Sequence, residues 1–453
     1  MSQVILKSTA EFHAWWAERH QAGEFSVRRV PFDALGSWGF DPLTGNLGHA
    51  SGRFFTVEGL QVRDGGTEIW AQPVIHQPEI GILGILVKEF DGVLHCLMQA
   101  KMEPGNSNTL QLSPTVQATR SNYMKVHRGT STRYLEHFTG PDRGRVLVDV
   151  LQSEQGAWFW RKRNRNMVVL ATGDVPEHED FRWLPLELVR ELMAVDHLVN
   201  MDARTVLSCM PFLVPEDSAA STGDPFRDAL VRSYRDRPAA DGRFGPDGAV
   251  GVLGWFNEAK TGIDWTARLM PLADVAGWKR DDWEITDESA ESFRVIAVEV
   301  TAGNREVARW TQPLLDPRGE GRAVFVARTV DGTLRLLVRA RPEYGLMDQV
   351  EMAPTVHLHA GQDVDAVREP FLRDALLPGG GTTRYDQVLS EEGGRFHHAG
   401  TRYQIIEVGD DFPADVPPHL CWMTVRQLTD LLRHGHYLNI EARSLLTCLA
   451  SLC

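Results

Sequence analysis

Apolar and polar positions change period several times along the chain, and each change marks an element. Near the N-terminus, "TAEFHAWWAERH" has the aromatic spacing of a short helix. The runs "FFTVEGLQV" and "IGILGILVKEF", and later "FRVIAVEV" and "AVFVARTV", read as strands. Asp91-Gly92 and Asp331-Gly332 each sit between two such runs, the strongest short-range sign of a hairpin. "PLELVRELMAVDHLVNMDARTVLSCM" carries Leu and Val at helical spacing and predicts an amphipathic helix closing the first half.

The order of elements then repeats. "WAQPVI" at Trp70 returns as "WTQPLL" at Trp310, 240 residues on, and the same shift carries Pro31 to Pro271, Trp38 to Trp278 and Glu103 to Glu343. It also carries Pro114-Thr115-Val116 to Pro354-Thr355-Val356. "SEQGAWF" from Ser153 is answered by "SEEGGRF" from Ser390, and "NMDARTVLSC" by "NIEARSLLTC". Such a near-constant offset predicts an internal duplication. Between the copies lies a Pro-, Gly-, Asp- and Ser-rich stretch. The reading is α+β: a first module over 1–215, a connection over 216–254 and a second module over 255–453, each with a mainly antiparallel sheet and flanking helices.

Composition changes this picture little. At 453 residues the chain is too long for one compact core. No apolar run reaches the roughly 18 to 20 residues that span a bilayer, and the N-terminus turns charged too soon for a signal peptide. A cytoplasmic location is therefore expected. Five cysteines form no CxxC pair and no zinc spacing, and most lie in apolar surroundings, which predicts reduced core thiols. A formal charge of −14 argues against general nucleic-acid binding.

The candidate chemistry lies in "AKMEPGNSNTLQLSPTVQATRSNY", Ala100 to Tyr123. It gathers Lys101, Glu103, Asn106, Asn108, Gln111, Ser113, Thr115, Gln117, Thr119, Arg120, Asn122 and Tyr123, with Lys125, His127 and Arg128 just beyond. From Gln111 to Thr119 the polar residues alternate, which places them on one face of an extended segment. That face either meets solvent or lines a ligand site. Short amides and hydroxyls favour the second reading. A basic cluster, "FWRKRNRNM", holds Trp160, Arg161, Lys162, Arg163 and Arg165, suited either to a solvated strand or to a diphosphate clamp. The second copy keeps Arg402 there and adds His397 and His398, a pair without a third ligand at metal spacing. "TRY" occurs at Thr132 to Tyr134, with Arg133, and again at Thr383 to Tyr385. No Rossmann or P-loop glycine motif, nucleophile elbow or HExxH helix appears.

Gln77 to Gly129, together with "SEQGAWFWRKRNRNM" and the run from Arg305 to Leu315, resembles the sugar nucleotide 2,3-dehydratases of deoxysugar biosynthesis. The resemblance covers nearly the whole chain. It implies two tandem Nudix-like modules, a homodimer, a nucleotide pocket in each module, and a dTDP-4-keto-6-deoxyhexose substrate whose product passes to a 3-ketoreductase. The REUxEExGU helix of true Nudix hydrolases is absent from both copies, which disfavours a pyrophosphatase. A sugar-nucleotide sensor without turnover is the other alternative.

The implied reaction suits these residues. A ketone at carbon 4 acidifies the hydrogen on carbon 3, and the hydroxyl on carbon 2 then lies β to the carbonyl. The ketone itself stabilises the carbanion, so neither a cofactor nor a metal is expected. The protein must supply a base, an acid for the departing hydroxyl and donors for the enolate oxygen. The expected catalytic set is Lys101, Glu103, Tyr123 and His127. Gln72, Asn106, Gln111, Ser113, Thr115, Gln117, Thr119, Arg120, Asn122, Arg128, Arg133, Tyr134, Trp160, Arg161, Lys162, Arg163 and Arg165 are expected to bind substrate. Arg339, Arg341, Thr355, His357, Arg384, Tyr385 and Arg402 would form a second nucleotide site. Lys101, Asn106, Ser113 and Gln117 become Arg341, Leu346, Ala353 and His357 in the second copy, which points to the first copy for the chemistry.

Overall fold

The computed structural model describes residues 4–119, 132–141, 143–210, 222–235, 245, 248–289, 292–303 and 308–453. The hairpins form as expected: Asp91-Gly92 and Asp331-Gly332 all take positive φ, closing the pairs Phe90–Val93 and Val330–Thr333. Each hairpin forms the middle of a seven-stranded sheet. The first sheet runs in the order Arg145–Ser153, Arg163–Leu170, Gly81–Phe90, Val93–Met102, Phe181–Pro185, with Leu110–Ser113 and Val116–Ala118 added to it. The second repeats that topology with Thr382–Ser390, Gly400–Glu407, Gly321–Val330, Thr333–Pro342 and Leu420–Thr424. One pair in each sheet is parallel, Arg163–Leu170 with Gly81–Phe90 and Gly400–Glu407 with Gly321–Val330. The architecture is α+β with two repeated, sheet-rich halves.

The polar cassette explains why each sheet splits. The strands Gly81–Phe90 and Val93–Met102 pair only as far as Leu86–Leu97. Beyond that point Leu110–Ser113 pairs with one of them and Val116–Ala118 with the other, so the cassette fills the gap as a wedge. Pro114 removes a donor where the chain changes partner. Thr115 sits at the apex, where its hydroxyl accepts from Leu86 N at 2.9 Å and donates to Leu97 O. Thr355 repeats this, accepting from Val326 N at 2.9 Å and donating to Leu337 O. The polar run is thus two short strands on different partners rather than one extended segment.

The predicted closing helix is also divided. Leu186–Leu192 and Met201–Ser208 are separate helices, and His197 between them takes φ 57. Leu112 N donates to Leu198 O, and Asn200 N donates to Leu112 O, so the intervening chain adds to the cassette strand. Asn200 then caps the second helix by accepting from Ala203 N at 2.8 Å. Val425–Leu431 and Ile440–Ala450 repeat the break, with His436 at φ 67 and Asn439 as the cap. Apolar periodicity runs across such a break because both helices face the same core.

Two five-stranded sheets tie the halves together. Trp38–Phe40, Leu47–His49, Thr56–Asp64 and Thr67–His76 gain Thr266–Met270 from the second half. Trp278–Arg280, Glu284–Asp287, Phe293–Ala302 and Arg309–Pro317 gain Phe25–Val30 from the first. Each exchanged strand finds its main-chain partners in the other half, so neither half satisfies its backbone alone. The largest core also crosses the boundary, with Leu83, Met98 and Val206 in one cluster with Phe325, Val338 and Leu446. Cys96, Cys421 and Cys448 are buried in that cluster as free thiols, and burial pushes Cys96 and Cys421 up to about 12.

Candidate active site

Two buried arginines set the distance between the halves. Arg204, from the first half, donates to Val199 O at 2.7 Å and to Ser390 O in the second half at 2.9 Å. Arg443 reciprocates, donating to Leu438 O at 2.5 Å and to Ser153 O at 2.5 Å. Each guanidinium therefore fixes the start of the opposite "SEQG" or "SEEG" loop.

The cassette turns dock on those same loops. Gly105 N donates to Gly393 O and His398 N donates to Gly105 O, both at 2.7 Å. In the mirror contact Gly345 N donates to Gly156 O at 2.9 Å and Arg161 N to Gly345 O at 2.7 Å. A Cβ on Gly105 would lie 1.6 Å from Phe396 O, and one on Gly345 2.0 Å from Phe159 O, so only glycine allows the approach. Each site consequently combines the cassette of one half with the loop of the other.

In the first site Lys101 Nζ lies 3.0 Å from Glu103 Oε1 and donates to Gln117 Oε1 at 2.5 Å. Gln117 donates to Glu103 Oε1 at 3.0 Å and its own Oε1 accepts from Ser113 at 3.1 Å. Asn200 supports Ser113 at 3.2 Å, and Gln111 reaches across to Ser390 Oγ at 2.8 Å. Asn106 folds back onto Thr109 O at 3.0 Å. Behind this network stand Asp202, Glu154 and Glu392, all interacting electrostatically. Burial, then the neighbouring acids Glu392, Glu154 and Glu103, hold Asp202 well above the usual carboxylate range. Burial and repulsion from Glu392 lift Glu154 to about 7, while burial brings Lys162 down to about 8. Glu154 therefore exchanges its proton near neutral pH, and burial raises the proton affinity of its acidic neighbours.

The second site has the same frame with different chemistry. Arg341 replaces Lys101 and spends its donors on Glu343 Oε1 at 2.9 Å, His357 O at 3.0 Å and His359 at 2.9 Å. His357 stands for Gln117 and Glu441 for Asp202. These two line a cleft with Glu343, Gln155 and Glu391. Burial, then Arg341, holds His357 neutral, and burial with Glu343 and Glu391 nearby raises Glu441. Glu343, His357 and Glu441 place ligand atoms within 4.8 Å of one another and have the donor types for a cation. Arg341 already supplies positive charge at Glu343, however.

The structure gathers some of the expected residues and disperses others. Lys101, Glu103, Ser113 and Gln117 come together in one network, and Gln111 and Asn106 flank it. Thr115 is committed to the split sheet. Thr119 ends the described part of the cassette, while Arg120, Asn122, Tyr123, His127 and Arg128 lie outside the described residues. Gln72 donates to Ala157 O at 2.6 Å and so supports the "SEQG" loop. The basic cluster divides because strand residues alternate between faces. Lys162 points inward to Glu79 O at 2.5 Å, whereas Arg165 is paired bidentately with Asp149 on the other face beside Arg163. Arg161, in a turn at φ 50, lies over the Trp160 ring at 4.4 Å. The two "TRY" segments occupy unrelated positions, a turn and a strand. Arg133 is exposed, Tyr134 donates to Pro176 O, and Tyr385 to Met193 O. In the second half Arg339 pairs with Glu369, Arg384 with Glu407, and Arg402 with Glu320 and Asp386. His397 stacks on His398 and pairs with Asp316 at 3.0 Å.

Asp202, Glu154, Glu392 and Asn200 were not singled out by sequence reasoning. For three of them the signal was present in the repeats, since Glu154, Asp202 and Asn200 are answered by Glu391, Glu441 and Asn439, whereas Glu392 is answered by Gln155. Nothing in the sequence said that the loop of one copy faces the cassette of the other.

The description of NDP-hexose 2,3-dehydratases fits residues 9–210 and 249–449 of the chain. The chain is 52% identical over 456 residues to a Saccharopolyspora spinosa protein named dTDP-4-dehydro-6-deoxy-alpha-D-glucopyranose 2,3-dehydratase, covering 98% of this chain and 92% of that one. It is 48% identical to a Streptomyces violaceoruber protein of the same name, over 99% and 98% of the two chains. An Amycolatopsis orientalis protein, again so named, is 47% identical over 98% of this chain and 91% of its own. With both halves matched in order, and relatives near half identity end to end, the chain belongs to the NDP-hexose 2,3-dehydratase family.

Proposed function

We propose that the protein removes water across carbons 2 and 3 of dTDP-4-keto-6-deoxyglucose, giving a dTDP-3,4-diketo-2,6-dideoxyhexose. The observation that carries this is the end-to-end likeness to three proteins named for that reaction. The first site supports it with a lysine, a glutamate, an amide side chain and a serine hydroxyl joined in one network beside buried acids. In this reading Tyr123 or His127 takes the carbon-3 proton. Lys101, held between Glu103 and Gln117, faces the enolate oxygen or the departing hydroxyl. Asn106, Ser113, Gln117 and Asn122 orient the sugar, and Arg161 and Arg163 meet the diphosphate. The second half, whose described arginines at 339, 384 and 402 are ion-paired, holds nucleotide without chemistry. Each seven-stranded sheet with its helices is read as a Nudix-like module, in line with its mixed topology and its closing helices. A homodimer and a downstream 3-ketoreductase belong to the same proposal. Among the described residues no helix is long and apolar enough to cross a membrane, which accords with a cytoplasmic location.

The test is to incubate the protein with dTDP-4-keto-6-deoxyglucose and a 3-ketoreductase and follow product mass. A product that has lost one water and gained the two hydrogens added by the reductase is expected. Release of dTMP would instead mark a hydrolase, and unchanged substrate a binding protein.

A further inference from the structure

The first site is not made by the first half alone. The docked turn, held by Gly105 N to Gly393 O and His398 N to Gly105 O at 2.7 Å, brings the "SEEG" loop of the second half over Lys101 and Glu103. Glu392 immediately precedes that docked glycine. A Cβ placed on Gly394 would lie 3.1 Å from Glu392 Oε1 and 3.6 Å from Glu103 Oε1, so the two carboxylates converge on one small space. Residue 394 is glycine, whereas the equivalent residue in the second site is Ala157. The second site also has Gln155 where the first has Glu392. Its amide donates to Glu391 Oε2 at 2.9 Å and carries no titratable proton.

We propose that Glu392 is a catalytic residue of the elimination, reaching the first site from the other half of the chain as the acid that protonates the departing carbon-2 hydroxyl. Several surroundings act on its proton affinity, with a net upward shift. Burial raises its carboxyl, Arg395 opposes this, and Glu103 raises it further. Lys162 and Lys101 pull the other way. Asp202 and Glu154 beside it also hold protons readily. The base takes the carbon-3 proton, and that bond's electron pair passes to the carbon-4 oxygen. The enolate then re-forms the carbonyl, a double bond forms between carbons 3 and 2, and the carbon–oxygen bond at carbon 2 breaks with its pair on oxygen. The Glu392 proton converts that oxygen to water and leaves a carboxylate. The resulting enol becomes the 3,4-diketone as carbon 2 takes a proton and the carbon-3 hydroxyl gives one up. The duplication thus separates roles: only one of the two loops carries the acid.

The inference rests on the dehydratase reading, and wild-type turnover tests that reading by itself. In E392Q, water loss should fall about 100-fold or more. Exchange of the carbon-3 hydrogen with deuterated solvent should persist, because the base is intact. The substrate analogue with fluorine at carbon 2 should still release fluoride close to the wild-type rate, since fluoride leaves without a proton. Water loss by E392Q at the wild-type rate overturns the proposal. So does joint loss of exchange, fluoride release and water loss in a variant with an unchanged melting temperature. If E392Q melts early, the same three readouts on E392D decide: reduced water loss with the other two retained supports the role, and any other pattern overturns it.

Discussion

Gly105→Ala offers a sharp test of the cross-half site. The added methyl would stand 1.6 Å from Phe396 O and 2.8 Å from Gly393 O, and both neighbours are backbone, which cannot rotate away. Gly105 has no need of positive φ, so the penalty is one of space alone. Two main-chain hydrogen bonds at 2.7 Å hold the turn. At about 0.5–1.5 kcal/mol each, their loss removes ~1–3 kcal/mol. Forced overpacking costs another ~1–3 kcal/mol. The turn should therefore lose ~2–6 kcal/mol of docking energy and lift away from the "SEEG" loop, carrying Glu103 with it. Displacing site groups by about 1 Å commonly costs on the order of 100-fold in rate. Gly345→Ala is the matched control, since its methyl would meet Phe159 O at 2.0 Å in the mirror contact. Both variants should show lowered melting in thermal scans. In the coupled mass assay, kcat should fall about 100-fold for Gly105→Ala and much less for Gly345→Ala, whose disturbance of Arg161 should show in KM instead. Unchanged melting and activity in Gly105→Ala would refute the docking argument. Equal loss of kcat in both variants would refute the assignment of chemistry to the first site.

Lys101→Met should lower kcat by about 10²–10⁴-fold with a smaller effect on KM, measured by steady-state water loss; an unchanged kcat removes Lys101 from the mechanism. Thr115→Val and Thr355→Val each leave a strand amide and a carbonyl without their bridge, so each should lower stability by ~1–3 kcal/mol in urea titrations, with the midpoint as the readout. Glu154, raised to about 7, binds a proton that the unfolded chain has released above its ordinary 4.5, so it should make stability fall as pH rises across that window. Lys162, lowered to about 8 from 10.5, binds fewer protons than the unfolded chain between those values, so stability should recover as pH rises through them. Glu154→Gln should flatten the acid-side limb of that profile, and an unaltered profile would show that the pair does not govern it.

Sequence and tertiary structure divided the information along physical lines. The hairpins were legible because Asp-Gly chemistry at a positive-φ turn is local, and the duplication because a repeat needs no coordinates. The cassette was legible as a polar face, and four of its members, Lys101, Glu103, Ser113 and Gln117, do meet in one network. Its division into two strands was not, since that depends on a hairpin splaying and on Thr115 bridging the split. Nor did helical periodicity show the break before Asn200, because both short helices bury toward the same core. Reading "RKRNR" as one clamp overlooked strand alternation, which turns Lys162 inward and Arg165 outward to Asp149. The exchanged strands Phe25–Val30 and Thr266–Met270, and the loops that complete each site from the other half, were decided only by the fold. Local sequence specifies torsions, turns and faces. Which distant edge or loop satisfies a backbone group, and which acid comes to rest beside which lysine, depends on long-range packing that no spacing along the chain records.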